Sequence, residues 1–148
     1  MTVIVGVDGS VGARAALEFA MDEAARRQTA LRVIAVVQLP AYGFAATSGV
    51  VPPSPAVLVE DVNRAAQQHV DEMVAARQDG GAIAISVEAL AGKPGQVLCA
   101  AAGDADLLVV GRSGHGAVTA SLLGSVGLHC VMHAQSPVTV VRAGSVDA

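Results

Sequence analysis

The residues whose spacing most clearly implies chemistry are glycines. Gly111 and Gly114 follow the apolar run Leu107-Leu108-Val109-Val110, and nine residues then separate Gly114 from the pair Gly124-Ser125. The run reads as a buried strand, and Val126 to Ala134 reads as a helix. Strand, glycine loop and helix in that order bring backbone N–H groups and a helix N-terminus to one point, which suits a phosphate. Glycine lets a backbone approach a ligand closely and take positive φ. The same glycines are ordinary turn formers, and it is the strand–loop–helix context that favours phosphate over a plain turn.

Other polar residues carry two readings each. Asp8, in Asp8-Gly9-Ser10 after the β-branched run Thr2 to Val7, is placed to meet a ligand or to cap the following helix. Ser125 can cap a helix and touch a phosphate at once. Arg112 reads as an exposed charge or salt-bridge partner, or as a phosphate contact, and His115 as a solvated loop histidine without an identifiable carboxylate partner. His129 and His133 are spaced i, i+4 around Cys130, but no glutamate stands between them and no Cys-x-x-Cys accompanies them. They read as structural, as Cys99 reads as core, and no metal site is expected. Lys93 lacks a Walker A loop around it, and neither a Gly-x-Ser-x-Gly elbow nor a triad can be assembled, so no catalytic residue is assigned.

The elements that must position these residues follow from composition and pattern. The chain has 148 residues, one ordinary domain, and is 53% hydrophobic with one tyrosine, two phenylalanines and no tryptophan. A core of Val, Ala, Leu and Ile suits a parallel sheet covered by Ala-rich helices. Strands are expected at Thr2–Val7, Leu31–Val37, Ile83–Ala89, Asp106–Val110 and Pro137–Arg142. Helices are expected at Gly12–Gln28 with Ser10 as N-cap, from Ser54-Pro55 to about Arg77, at Gln96–Ala102 ended by Gly103, and at Val126–Ala134. Asp79-Gly80-Gly81 is expected to stop the second helix. The alternation implies a parallel sheet with right-handed crossovers and helices on both faces. Ligands of such sheets bind beyond the strand C-termini where the winding reverses, so Asp8 and Gly111–Gly114 share a crevice if strands one and four are neighbours.

Val33 to Glu60 carries no charge before its last residue, but its prolines and polar residues argue against a spanning helix, and Gln38 to Pro53 is long for a connection in a compact domain. It reads as a lid, hinge or mobile loop, carrying Tyr42 and Phe44. A net charge of −4 gives no electrostatic footprint for nucleic acid or an anionic membrane. Two cysteines form no disulfide framework, and Met1-Thr2-Val3 lacks the basic start of a signal peptide, so a cytoplasmic location is expected.

Three segments together resemble the universal stress protein family. They are Val5-Gly6-Val7-Asp8-Gly9-Ser10, then Gly111-Arg112-Ser113-Gly114 with Gly124-Ser125-Val126, then Ser136-Pro137-Val138-Thr139-Val140-Val141. The match runs over nearly the whole chain, one domain at 1–148, and its glycine spacing is similar to the ATP-binding branch. The resemblance implies an α/β fold: a single doubly wound five-stranded parallel sheet in the order 3-2-1-4-5, adenine nucleotide alpha hydrolase-like. It implies that Asp8 lies by the adenosine with the backbone of Gly6 and Val7, and that Val36 lines the adenine slot. Gly111, Gly114, Gly124 and Ser125 would hold ribose and phosphates, with Val110 and Val126 beside them. Ser136 stands where the family usually has cysteine or alanine, and Gly127 where a serine is frequent.

The expected function is that of a regulatory, stress-response module binding ATP with Mg²⁺, a homodimer through its last strand, acting on an unidentified protein client. The alternatives are an AMP or cyclic-AMP sensor and a slow ATP hydrolase.

Overall fold

A computed structural model describes residues 1–8, 10–38, 49, 54–77, 83–112 and 123–143. The expected loop from Gln38 to Pro53 lies, apart from Gln38 and Gly49, outside the described residues. So do Gly9, the stop at Asp79-Gly80-Gly81, and Gly114 and His115 of the glycine loop.

Five strands form one parallel sheet in the order β3-β2-β1-β4-β5. They are β1 (Thr2–Val7), β2 (Ala30–Val37), β3 (Ile85–Ala91), β4 (Leu107–Gly111) and β5 (Val138–Val141). The described helices are α1 (Val11–Arg27), α2 (Pro55–Ala76), α3 (Pro94–Ala102) and α4 (Ser125–His133). Alternation along the strands divides the core. Val3, Val5, Leu31, Val33, Leu107 and Val109 face α1 and α2, whose Leu17, Met21, Val70 and Met73 cover them. Ile4, Ile34, Leu108 and Val110 face the other way, onto Leu98 and Ala102 of α3 and Cys130 of α4. Strands buried on both faces need a continuous apolar sequence, which β1 and β4 have.

Local signals set most boundaries. Ser10 caps α1, its Oγ accepting the Ala13 N–H at 3.1 Å, and Ser54 caps α2 in the same way through Val57. Most boundaries lie within one residue of expectation, and the larger differences are in β3 and α3. β3 runs from Ile85 to Ala91, shifted two residues toward the C-terminus from the expected span. Its register is imposed by β2, Leu31 pairing with Ile85 and Val37 with Ala91. α3 starts at Pro94, whose fixed φ and missing N–H suit a first helical turn.

Two glycines on the central strands are sites of close approach. A Cβ on Gly6 would lie 2.6 Å from Leu98 Cδ1 of α3, and one on Gly111 would lie 2.9 Å from the carbonyl carbon and oxygen of Gly12 in α1. The first obstacle is the end of a movable side chain; the second is backbone. Gly111→Ala is therefore expected to destabilise the fold by about 1–3 kcal/mol, as overpacking does, and Gly6→Ala by less. Urea denaturation midpoints of the two variants against the parent test this ordering.

Candidate functional site

Paired strands diverge where the site is expected. β1 runs to Val7 and β4 to Gly111, yet their shared ladder ends at Val5 opposite Val109. Beyond that pair each strand stays bonded only to its outer neighbour, Val7 opposite Ala35 and Gly111 opposite Val141. The winding also reverses between these strands, β2 and β3 lying to one side and β5 to the other. This is the position, beyond the C-terminal ends of the strands flanking the reversal, at which such folds bind ligands in a crevice.

The β1 wall ends in Asp8, which is exposed, and its Oδ1 accepts the Ser10 N–H at 2.9 Å. This is the local turn that aspartate forms with the backbone two residues on, and it leads straight into the Ser10 cap of α1. On the opposite wall the chain leaves β4 at Arg112 and returns to α4 at Gly124. The Arg112 N–H donates to the Val141 carbonyl at 2.8 Å, and the Gly124 N–H donates to the Arg112 carbonyl at 2.7 Å. The two ends of the glycine loop are thereby pinned together at the edge of the sheet.

Gly124 is the N-cap of α4, with no side-chain hydrogen bond to the cap and no acidic residue in the first turn. The first intrahelical bond runs from the Leu128 N–H to the Gly124 carbonyl. The N–H groups of Ser125, Val126 and Gly127 thus head the helix without side-chain acceptors, and the macrodipole adds partial positive charge there. An anion is the natural partner of that end.

Gly6, Val7, Asp8, Val36, Val110, Gly111, Gly124, Ser125 and Val126 all lie at the C-terminal edge of the sheet or at the start of α4. Gly114 is outside the described residues. Their side chains divide by face. Val7 packs toward α1 and α2, while Val36, Val110 and Val126 belong to the cluster under α3 and α4. Val110 is 2% exposed, so it backs the site from the core. Gly127 is buried, and a Cβ there would meet Leu123 Cδ1 at 2.9 Å. A serine at this position would need Leu123 to move, which gives the glycine a packing reason. Sequence reading missed the clasp at Arg112, because nothing local to a Gly-Arg-Ser-Gly stretch signals that one residue bonds both β5 and the head of α4. It also expected a salt bridge or an exposed charge at Arg112. The residue is half-buried and forms no ion pair among the described residues.

Behind the head of α4 two thiols meet. Cys130 is fully buried and Cys99 half-buried. Burial first, then the neighbouring Cys99 thiol, pushes the Cys130 thiol from an ordinary 9.0 up to about 12. The His129 and His133 rings lie 4.5 Å apart, tilted by 45°. Among the described residues no group of three or more His, Cys, Asp or Glu side chains could hold a metal ion. A depression along the exposed face of α2, lined by Glu60, Arg64 and Asp71 among others, is remote from the crevice.

A family model described as "Universal stress protein family" matches residues 1–142. Universal stress protein Rv2624c of Mycobacterium tuberculosis is 32% identical over 142 residues, covering 96% of this chain and 48% of the relative. Universal stress protein Rv1996 of the same organism is 32% identical over 151 residues, covering 94% of this chain and 47% of its own length. The chain therefore spans about half the length of the curated relatives it matches. Among solved structures, a universal stress protein in complex with cAMP superposes with a TM-score of 0.64 at 26% identity, covering 97% of this chain and 98% of that one. UspA from Lactobacillus plantarum gives a TM-score of 0.67 at 27% identity, covering 96% and 97%.

The thiol pair generates a prediction. Iodoacetamide at pH 8 should modify Cys99 and leave Cys130 intact until the chain is unfolded, read by peptide mass analysis. The folded pKa lies above the unfolded one, so above pH 9 the unfolded chain releases a proton that the folded chain keeps. Stability should fall as pH rises from 9 toward 12, and Cys130→Ala should remove that slope from urea midpoints measured across the range.

Proposed function

We propose that this chain, which belongs to the universal stress protein family, binds an adenine nucleotide in the crevice between β1 and β4. The observation that carries the reading is the divergence of these strands beyond Val5 and Val109 beside the uncapped N-terminus of α4. It provides a slot at a switch point with phosphate-binding chemistry on one wall. Asp8 and the backbone of Gly6 and Val7 would meet the adenosine, with Val36 beside the base. Gly111, Gly114, Gly124 and Ser125 would meet ribose and phosphates. ATP is the proposed species, and Mg²⁺ would arrive on its phosphates, since that ion keeps several waters and needs few protein ligands. Binding would favour an occupied, regulatory state through its differential affinity. We place this module in the cytoplasm, acting on a protein client; among the described residues no helix is long and apolar enough to cross a membrane.

A second reading, a cyclic-AMP or AMP sensor, is favoured by the structural similarity to a universal stress protein holding cAMP. Thermal-shift titration with ATP, AMP, cyclic AMP and adenosine, run beside a phosphate-release assay, separates these readings and a slow hydrolase. The largest stabilisation is expected with ATP, about 2.7 kcal/mol at a free concentration near 100 times Kd, without phosphate release. A chain that none of the four ligands stabilises would not be a nucleotide-binding module.

The same module is proposed to be a homodimer through β5. This strand forms one edge of the sheet, and edge strands invite pairing. The carbonyls of Pro137 and Val141 point to β4, accepting from Leu108 and Arg112. By alternation the Val140 N–H points away from the sheet, available to a partner strand. Val140→Pro should therefore weaken dimerisation while keeping the β4–β5 ladder. Sedimentation velocity over a concentration series checks this, and a parent protein that stays monomeric at high micromolar concentration with ATP present rules out the edge dimer.

A further inference from the structure

The clasp at Arg112 places its side chain as well as its backbone. Leu108 and Arg112 both donate their N–H groups to β5, to Pro137 and Val141, so Arg112 continues the pleat of β4 past its last strand residue. Residues two and four apart on a strand share a face. Leu108 and Val110 lie in the cluster under α3 and α4, so the Arg112 side chain leaves the sheet on that same side. There α4 begins, Gly124 being bonded directly to the Arg112 carbonyl.

Among the described residues the guanidinium meets no carboxylate, and its Nε is buried with no hydrogen-bond partner there. Arg26, Arg27, Arg32 and Arg77, by contrast, each hold a carboxylate within 3.0 Å. Positions 113 to 122 contain neither aspartate nor glutamate, so the glycine loop itself supplies no counter-charge. A half-buried guanidinium loses hydration and gains nothing in exchange unless an anion comes to it. The planar donor fork of arginine matches phosphate oxygens two at a time.

We infer that Arg112 is the phosphate-binding side chain of this crevice, acting with the N–H groups at the head of α4, and that it sets a preference for ligands carrying more phosphate charge. The inference rests on the nucleotide reading of the site and adds to it a residue and a basis for selectivity. Adenosine, lacking phosphate, is indifferent to Arg112; AMP depends on it, and ATP depends on it most.

Isothermal titration of the parent, Arg112→Gln and Arg112→Lys with ATP, AMP, adenosine and inorganic tripolyphosphate tests this, with thermal melts to verify folding. Arg112→Gln is expected to weaken ATP and tripolyphosphate by about tenfold or more, the scale of a charge-assisted hydrogen bond. Arg112→Lys should fall between, because it keeps the charge and loses the fork, and adenosine affinity should stay unchanged. In the parent, added salt should weaken ATP and spare adenosine, a readout that needs no variant. Unchanged ATP affinity in a folded Arg112→Gln, or an equal loss of adenosine, overturns the inference. Arg112-dependent tripolyphosphate binding without ATP or adenosine binding leaves Arg112 standing and removes the nucleotide reading. A parent that binds none of the four removes both.

Discussion

β1 and β4 stop pairing with each other at Val5 and Val109 while each continues along its outer neighbour. Hydrogen bonding alone would favour closing that gap, since both strands run on past it. The gap persists because the chain winds away in opposite directions from these two strands, α1 leaving β1 on one face of the sheet and the loop to α4 leaving β4. On its outer side each strand stays paired past the gap, Val7 opposite Ala35, while Arg112 is bonded to both Val141 and Gly124.

Glycine serves this arrangement mainly by letting elements approach. Gly111 admits the first turn of α1 against the end of β4, and Gly6 admits Leu98 of α3 on the other face. Gly95 lets α3 lie against the His129 ring, where a Cβ would stand 2.7 Å from the imidazole. These contacts fix where α1 and α4 begin, and therefore where their N-termini point. A sequence reader sees a glycine motif and thinks of phosphate. Here Gly111 and Gly127 earn their places first through packing, and packing is what positions the donors.

The parts of the fold that were legible in the sequence were those set by local chemistry. Ser10 and Ser54 act as the caps that their side chains suggested, Gly103 ends α3, and the β-branched run Thr2–Val7 is β1 at both boundaries. The strand order followed from alternation together with the family resemblance, and the sheet has it. What was not legible depends on partners distant in sequence. The register of β3 is dictated by β2, so its span moved by two residues although its apolar character was plain. That Arg112 forms no ion pair among the described residues depends on which carboxylates the fold brings near, and no window of sequence around it contains that information. The same holds for the meeting of Cys99 with Cys130 across two helices.

The two helix N-termini at this crevice are electrically unlike, and the difference gives the site a direction. The head of α1 is already supplied with acceptors: Ser10 Oγ takes the Ala13 N–H, and the Asp8 carboxylate takes the Ser10 N–H. A formal negative charge stands at that end, which repels a phosphate and attracts neutral hydroxyl or amino donors. The head of α4 has no side-chain cap, no acidic residue in its first turn, and a guanidinium at the adjoining end of β4. It attracts what the other end repels. On the proposed reading, a ligand with hydroxyls at one end and phosphate at the other would lie across the crevice with its phosphate toward α4.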